Sequence, residues 1–345
     1  MIIARAALRL SFSGGGTDIP AFYENYGPGF VVSTSINRHV YVTINEKFDG
    51  KVSVRYRIHE NTDTVRDLKH PLIREILKHY GIDAGIEIVI ISEVPAKGSG
   101  LGASSALAVA LCAALDRWKI GRVSDTLLYR KSIAEIAAKI EIEKVGSPIG
   151  KQDHYASAMG GFNCIKFLKD GSVEGESFDD SSFISEIEEQ SMLFYLNMEH
   201  SYQEGKGHFV QKVLKDQIAE MEKNHHIHEL QRDNAIKLWE NMTYAVPERF
   251  MDHVNENWRL KRTLHGDITN PEIDAIIQRA YKAGATAAKV NGAGGGGFLY
   301  LMVPKVMQDD VRRTLANLTE LKFGFDQRGV EIIFDGSKEA IPVGA

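Results

Sequence analysis

The sequence is poor in cysteine. Cys112 and Cys164 are the only two in 345 residues, too few for a disulfide framework or a cysteine-rich zinc site. Their apolar neighbours suit two buried thiols in a reducing compartment. No uncharged apolar run reaches the ~18 residues that a membrane span needs. The first stretch, MIIARAALRLSFSGGG, lacks the long apolar core and small-residue cleavage site of a signal peptide, so a cytoplasmic protein with no membrane partner is expected. Runs of Lys or Arg are missing as well. With a formal net charge of −5 the chain has no electrostatic footprint for nucleic acid, and an anionic ligand must be held by local groups. No Gly-Lys-Ser/Thr stands at the Walker A spacing, which excludes that phosphate loop. Internal repeats and low-complexity tails are absent too.

What remains is ordinary globular composition, 43% apolar and 25% charged, with a length that suits two domains or one large one. Alternating, β-branched segments predict strands over 1–12, 29–45, 51–57 and 85–92. A short helix is expected over 71–80. The helix opening near 103 is apolar almost all round from Ala106 to Leu115 and therefore belongs at a domain centre. A second helix is expected over 125–144, then a loop and short strand over 145–165, and a polar, turn-rich stretch over 171–182. Amphipathic helices cover 204–224, 230–243 and 248–263, a face that suits domain packing or a homodimer. A helix over 271–283, a strand–glycine loop–strand over 286–303, a helix over 305–319 and a terminal hairpin turning near Gln327–Gly329 complete the chain. Helices interleaved with strands, without the regular alternation of a doubly wound sheet, predict an α+β fold.

Three glycine-rich segments carry the chemistry. In Pro95-Ala-Lys97-Gly98-Ser99-Gly100-Leu101-Gly102-Ala103-Ser104-Ser105, glycines at alternate positions let the backbone turn its amides onto a ligand. The helix that follows adds its free amides and positive dipole end. The result is a cradle for a triphosphate, with Ser104 or Ser105 able to offer a hydroxyl to magnesium. The same residues formally fit the dinucleotide pattern G-x-G-x-x-A, but Asp116 lies late in the same helix instead of closing a second strand. A plain turn with a serine cap is the bland alternative. The second segment, Gly14-Gly15-Gly16-Thr17-Asp18, follows a strand, and a carboxylate there can accept from two hydroxyls of a polyol; by itself it reads as a local turn cap. The third, Gly292-Ala-Gly294-Gly295-Gly-Gly297, has five glycines in six residues, which suggests close packing on a ligand or another loop.

Carboxylates complete the set. Asp153 and Lys151 follow the turn Gly146-Ser-Pro-Ile-Gly150. Glu141 sits on the small-residue side of its helix with Ala137 and Ala134, whereas Glu143 is turned about 200° away onto a solvated face. His225, His226 and His228 form an HHIH cluster that reads as a hydrophilic connection between helices more readily than as a metal site. Trp118, Trp239 and Trp258 are expected to pack cores.

Taken in order, these motifs resemble the GHMP kinase superfamily, which includes galactokinase, homoserine kinase and mevalonate kinase. The likeness covers nearly the whole chain, and PAKGSGLGASSA is its most specific part. It implies a ribosomal protein S5 domain 2-like N-terminal lobe (residues 1–185), a ferredoxin-like C-terminal lobe (residues 186–345) and a site between them. Within the superfamily, LRLSFSGGGTDIPAFYENYG, EIEKVGSPIGKQDHYASAMGGFN and NENWRLKRTL ahead of GAGGGGF look most similar to heptose 7-phosphate kinases of bacterial surface-glycan pathways; GKQD is shared with fucokinase-like members. The reaction implied is transfer of the γ-phosphoryl of ATP to the anomeric hydroxyl of D-glycero-D-manno-heptose 7-phosphate, with a fucose- or galactose-like sugar as the alternative acceptor. That subgroup carries a TGxxRxA-like segment early in its second lobe, whereas this chain has EHSYQEGKGHF over 199–209, without the arginine.

The roles follow from the resemblance and the residues together. ATP is expected on Lys97, Gly98, Ser99, Gly100, Leu101, Gly102, Ala103, Ser104 and Ser105, and Mg2+ on Ser104 and Glu141. Asp153 is the expected base, with Arg9 beside it, and the acceptor is expected on Gly15, Gly16, Thr17, Asp18, Gly294 and Gly295. Readings from other classes are a nicotinamide-dependent oxidoreductase, which requires the first glycine loop inside a parallel sheet, and a catalytically silent metabolite-binding regulator.

Overall fold

The computed structural model describes residues 1–95, 98–196, 207–243 and 247–336. The chain opens with β1 (Ile2–Ser13), α1 (Pro20–Tyr26) and the long β2 (Gly29–Glu46), followed by the hairpin β3 (Val52–Arg55) and β4 (His59–Thr62). Next come α2 (Pro71–His79), β5 (Ile86–Ser92), α3 (Ala103–Leu115), α4 (Leu127–Lys139), α5 (Gln152–Met159), β6 (Phe162–Phe167) and β7 (Val173–Phe178). The second part contains α6 (Ser181–Gln190), β8 (Ser191–Leu196), α7 (Gly207–Ala219), α8 (Met221–Thr243), α9 (Pro247–Lys261) and α10 (Pro271–Lys282). It ends with β9 (Ala287–Val290), β10 (Gly297–Met302), α11 (Gln308–Thr314), β11 (Thr319–Leu321) and β12 (Glu331–Asp335).

Among the described residues two sheets form, and the class is α+β as expected. The first runs β12-β1-β2-β5-β3-β4, with β6 and β7 attached to the first half of β2; the second runs β11-β8-β10-β9. In the first sheet β3–β5 is a parallel pair and the other pairs are antiparallel. β2 spans both halves because its residues 29–34 pair β6 and its residues 40–46 pair β5. Helix α3 packs on β1 and β2 with α4 and α5 beside it. Twelve of its residues are buried and Ser104 is exposed, as its nearly uniform apolarity demands. Each fully buried Leu there contributes roughly 1.5–3 kcal/mol. The same core takes in Ala235, Leu238 and Met242 of α8, so the later helices close onto the first sheet. A second core lies between the second sheet and α10, around Ile273, Ile277, Leu299 and Leu301. Asn270 starts α10 by accepting from the Ile273 amide at 2.9 Å, with Pro271 behind it.

Several expectations are corrected. The 145–165 stretch holds a helix, α5, and the 171–182 stretch holds β7. The 125–144 helix is regular only to Lys139; Ile140–Lys144 form one wide π-type turn in which the Val145 amide donates to the Ile140 carbonyl at 3.0 Å. The HHIH residues lie inside the continuous α8 and connect nothing. The terminal hairpin does not form, because β11 pairs β8 and β12 crosses to β1. Trp258 is buried, and Trp118 and Trp239 pack at a core edge, as expected. Among the described residues no helix is long and apolar enough to cross a membrane.

Candidate active site

Gly98, Gly100 and Gly102 have φ of 72°, 74° and 76°, the left-handed region at alternate positions. Only glycine takes that sequence of angles without strain. Gly102 opens α3, and no side chain caps it. The serine-cap reading therefore fails, and the first-turn amides are left facing the loop, the arrangement that favours an anion. The loop is backed by the third glycine segment: the Phe298 amide donates to the Ser99 carbonyl at 3.0 Å. A methyl group on Gly100 would lie 2.4 Å from the Asn291 carbonyl oxygen, and one on Gly297 2.5 Å from that of Gly98. The five glycines are thus explained in part by backbone-on-backbone packing. Lys97 lies outside the described residues, as does most of the 199–209 segment.

Arg9, near the end of β1, reaches into this junction. Its Nε and Nη2 donate to Asp153 Oδ1 and Oδ2 at 2.7 and 2.8 Å, a bidentate pair, while Nη1 donates to the Gly100 carbonyl at 2.5 Å. A methyl on Gly102 would come within 3.3 Å of both the Arg9 side chain and Asp153 Oδ2. Asp153, from the first turn of α5, therefore stands against the mouth of the α3 N-terminus. Two lysines that the sequence did not single out lie close by. Lys261, at the end of α9, donates to the carbonyls of Gly292 and Val290. Burial pushes its ammonium down to about 7, with Arg9 adding to the shift and Asp153 opposing it. Lys289 is buried and donates to the Ser11 and Phe12 carbonyls at 2.5 and 3.1 Å. Burial, then Lys261 and Arg9, drive it well below its ordinary value. A lysine in the otherwise apolar strand Ala287–Val290 is a signal that sequence reading could have used.

On the other side of α3, Ser104 Oγ donates to Glu141 Oε1 at 2.5 Å and Ser105 Oγ to Oε2 at 3.3 Å. His154, the residue after Asp153, sits with Nε2 2.8 Å from Glu141 Oε2. Burial alone would raise the Glu141 carboxyl, but the bonds from His154, Ser104 and Ser105 outweigh it and hold the group below its usual range. One carboxylate and two hydroxyls thus meet at the helix start. Among the described residues no group of three or more His, Cys, Asp or Glu side chains forms a metal cage. That donor set suits Mg2+, which binds through one or two carboxylates and takes its other oxygens from phosphate and water.

The Gly14–Asp18 loop lies beside Asp153. Thr17 Oγ1 donates to the Gly14 carbonyl at 2.8 Å and accepts from the Phe30 amide at 3.0 Å, so its hydroxyl is committed to the loop. Asp18 is buried; its Oδ1 accepts from the Gly16 amide and Gln152 Nε2, and its Oδ2 from the Gln152 amide at 3.0 Å. It thereby starts α5. Burial is the main reason its pKa rises to about 6, opposed by the Gln152 backbone bond and assisted by Asp153. Gly15 faces the Gln152 amide and Gly16 the His228 ring. Gly294 and Gly295, within the segment that backs the phosphate loop, pack against Ile268, whose carbonyl accepts from the Gly295 amide at 2.8 Å.

Residues 68–161 match the family described as the GHMP kinases N terminal domain and residues 242–319 the GHMP kinases C terminal. The chain belongs to the GHMP kinases. This GHMP kinase is 28% identical to the D-glycero-alpha-D-manno-heptose 7-phosphate kinase of Campylobacter jejuni, over 96% of this chain and 98% of the relative. It is 25% identical to the mevalonate kinase of Pyrococcus abyssi, over 87% and 80%. Its fold matches the crystal structure of a D-glycero-D-manno-heptose 1-phosphate kinase from Bacteroides thetaiotaomicron with a TM-score of 0.74 at 23% identity, covering 97% and 99% of the two chains. The oxidoreductase reading falls with the sheet: the glycine loop of this kinase feeds a helix laid on antiparallel strands β1 and β2, not a parallel dinucleotide sheet.

Proposed function

We propose that this kinase uses ATP to phosphorylate the anomeric hydroxyl of a heptose phosphate, converting D-glycero-D-manno-heptose 7-phosphate to the 1,7-bisphosphate for surface-glycan nucleotide-heptose synthesis. The observation that carries the reading is the bidentate Arg9–Asp153 pair standing against Gly102. The name of the Campylobacter relative supports the choice of sugar.

In this reading the amides of Gly98 to Ser105, with Lys97, hold the β- and γ-phosphates. Phosphoryl transfer depends on positioning and charge neutralisation more than on covalent chemistry. Asp153 takes the proton of the attacking hydroxyl as its oxygen bonds to the γ-phosphorus; the bond to the β-bridging oxygen breaks and ADP leaves with that electron pair. Arg9 fixes the Asp153 carboxylate and lies beside the charge that develops on the phosphoryl oxygens. Mg2+, when bound on Ser104 and Glu141, would neutralise phosphate charge. The acceptor is assigned to Gly15, Gly16, Thr17, Asp18, Gly294 and Gly295, with the Asp18 carboxylate assigned to its hydroxyls.

The test is ATP consumption against free and phosphorylated heptoses, galactose, fucose and mevalonate, with the product position read by NMR. Selective turnover of a heptose phosphate at its anomeric carbon is the expected result. Turnover of fucose or galactose alone would move the acceptor, and ATP binding without turnover across the panel would favour the silent regulator.

A further inference from the structure

Helix α8 lays one face on the Gly14–Asp18 loop. The groups that hold the chain here are hydrogen-bonded: Asn234 Nδ2 of α8 donates to Ser13 Oγ at 2.9 Å, and Asn257 Oδ1 of the neighbouring α9 accepts from the Gly14 amide at 3.1 Å. The groups next to the glycines are not. His228 is 1% exposed and Gln231 0%; beyond the touch of these two side chains on each other, neither ring nitrogen of His228 and neither amide atom of Gln231 has a well-formed hydrogen-bond partner among the described residues. Across the loop, Gln152 Oε1 is also unpartnered, although its Nε2 serves Asp18. A buried polar atom left unmet is costly, and native structures keep few of them. Here three, both ring nitrogens of His228 and Gln152 Oε1, lie against one short glycine turn, and the two of Gln231 follow one helical turn along α8.

The glycines explain the closeness. A methyl on Gly16, whose φ is 100°, would lie 2.9 Å from His228 Cε1 and 3.1 Å from Nδ1. One on Gly15 would stand 3.4 Å from Gln152 Nε2 and 3.7 Å from Oε1. The loop thus carries no side chain between an imidazole and the amide of Gln152, the residue before Asp153. Phe22 packs against the imidazole, ring centroids 5.7 Å apart, and fixes its plane.

We propose that His228 and Gln231, with Gln152 opposite, form the wall that recognises the hydroxyls of the acceptor in this kinase. The inference rests on the sugar-kinase reading above and deepens it. Its chemistry is specific. Burial pushes the His228 imidazole down to about 4, with Gln231 opposing, so near neutrality the ring is uncharged. It then offers one donor and one acceptor, as each amide offers donors and an acceptor. A run of hydroxyls, each able to give and to take a hydrogen bond, meets all of them. A phosphate has only acceptors at this wall and would leave the acceptor atoms unmet. The wall therefore reads the polyol part of the acceptor, and any phosphate on it is held elsewhere.

The experiment compares wild-type kinase with His228→Leu, His228→Gln and Gln231→Leu, titrating acceptor and ATP separately and measuring acceptor binding by calorimetry. His228→Leu and Gln231→Leu should raise the acceptor KM and Kd at least about tenfold, the equivalent of one lost buried hydrogen bond, with the ATP KM unchanged. His228→Gln, which keeps a donor and an acceptor, should recover part of the loss. An acceptor lacking one hydroxyl should bind less tightly to wild type and show no further loss on the variant that removes that hydroxyl's partner. Should His228→Leu fail to fold, Gln231→Leu and the deoxy acceptor decide. Folded variants with wild-type acceptor affinity, or with ATP and acceptor affinity weakened equally, overturn the inference while leaving the kinase reading intact. A wild-type enzyme that phosphorylates no polyol overturns both.

Discussion

His154 Nε2 stands 2.8 Å from Glu141 Oε2, both side chains shut off from water, with Ser104 and Ser105 sharing the same carboxylate. Removing one partner of a buried pair leaves the other charge uncompensated, so His154→Leu should lower stability by about 3 kcal/mol. The sign with pH follows from the carboxyl. Its folded pKa lies below its ordinary 4.5, so the stabilisation is present above that value and is lost as pH falls through the folded pKa. Urea denaturation at pH 7 and at successively lower pH should show the deficit of His154→Leu shrinking on the acid side. A constant deficit would mean that His154 acts by packing alone.

Gly102→Ala and Gly100→Ala should differ in kind. At Gly102 the left-handed backbone costs about 1–2 kcal/mol for a residue with a Cβ, and the new methyl meets Arg9 and Asp153 at 3.3 Å. Turnover should fall further than melting temperature predicts. At Gly100 the methyl meets the Asn291 carbonyl oxygen at 2.4 Å, backbone that cannot swing away, so stability and turnover should fall together. Kinetics alongside thermal unfolding checks both.

Sequence alone gave the α+β class, the two long opening strands, the buried central helix and the three glycine segments. Local pattern was enough because each is a run of one periodicity or one residue type. Helix α5 stayed hidden for a physical reason. Its start is capped from far away, by Asp18 accepting from the Gln152 amide across 134 positions, and the eight residues of Gln152–Met159 carry too little periodicity. His154 was hidden with it. The HHIH run has the polarity of a connection, yet His225 stacks on Tyr26 at 4.4 Å and His228 faces Gly16, one helical turn apart. β12 is short and finds its partner β1 across almost the whole chain, a pairing that no local signal announces.

Lys261 makes stability depend on pH in the alkaline range. Its folded pKa of about 7 lies below its ordinary 10.5, so the unfolded chain holds more protons between those values. Stability should therefore rise as pH goes from 7 to 10.5. Lys261→Met removes that term, and its stability should climb less steeply over the same window, with Lys289 still contributing in the same direction. Parallel stability curves for the two proteins would show that Lys261 is protonated alike in the folded and unfolded chain.

Arg9→Lys keeps a positive charge but loses the two-pronged hold on Asp153. Lysine cannot reproduce that geometry, so turnover should drop without comparable loss of ATP affinity.

The most direct measurement is turnover of Asp153→Asn alongside its ATP affinity by calorimetry. A side chain that orients and deprotonates the acceptor should cost about 10²–10⁴-fold in kcat when its carboxylate is replaced by an amide, with ATP binding retained. An Asp153→Asn enzyme that turns over at close to the wild-type rate would contradict the account.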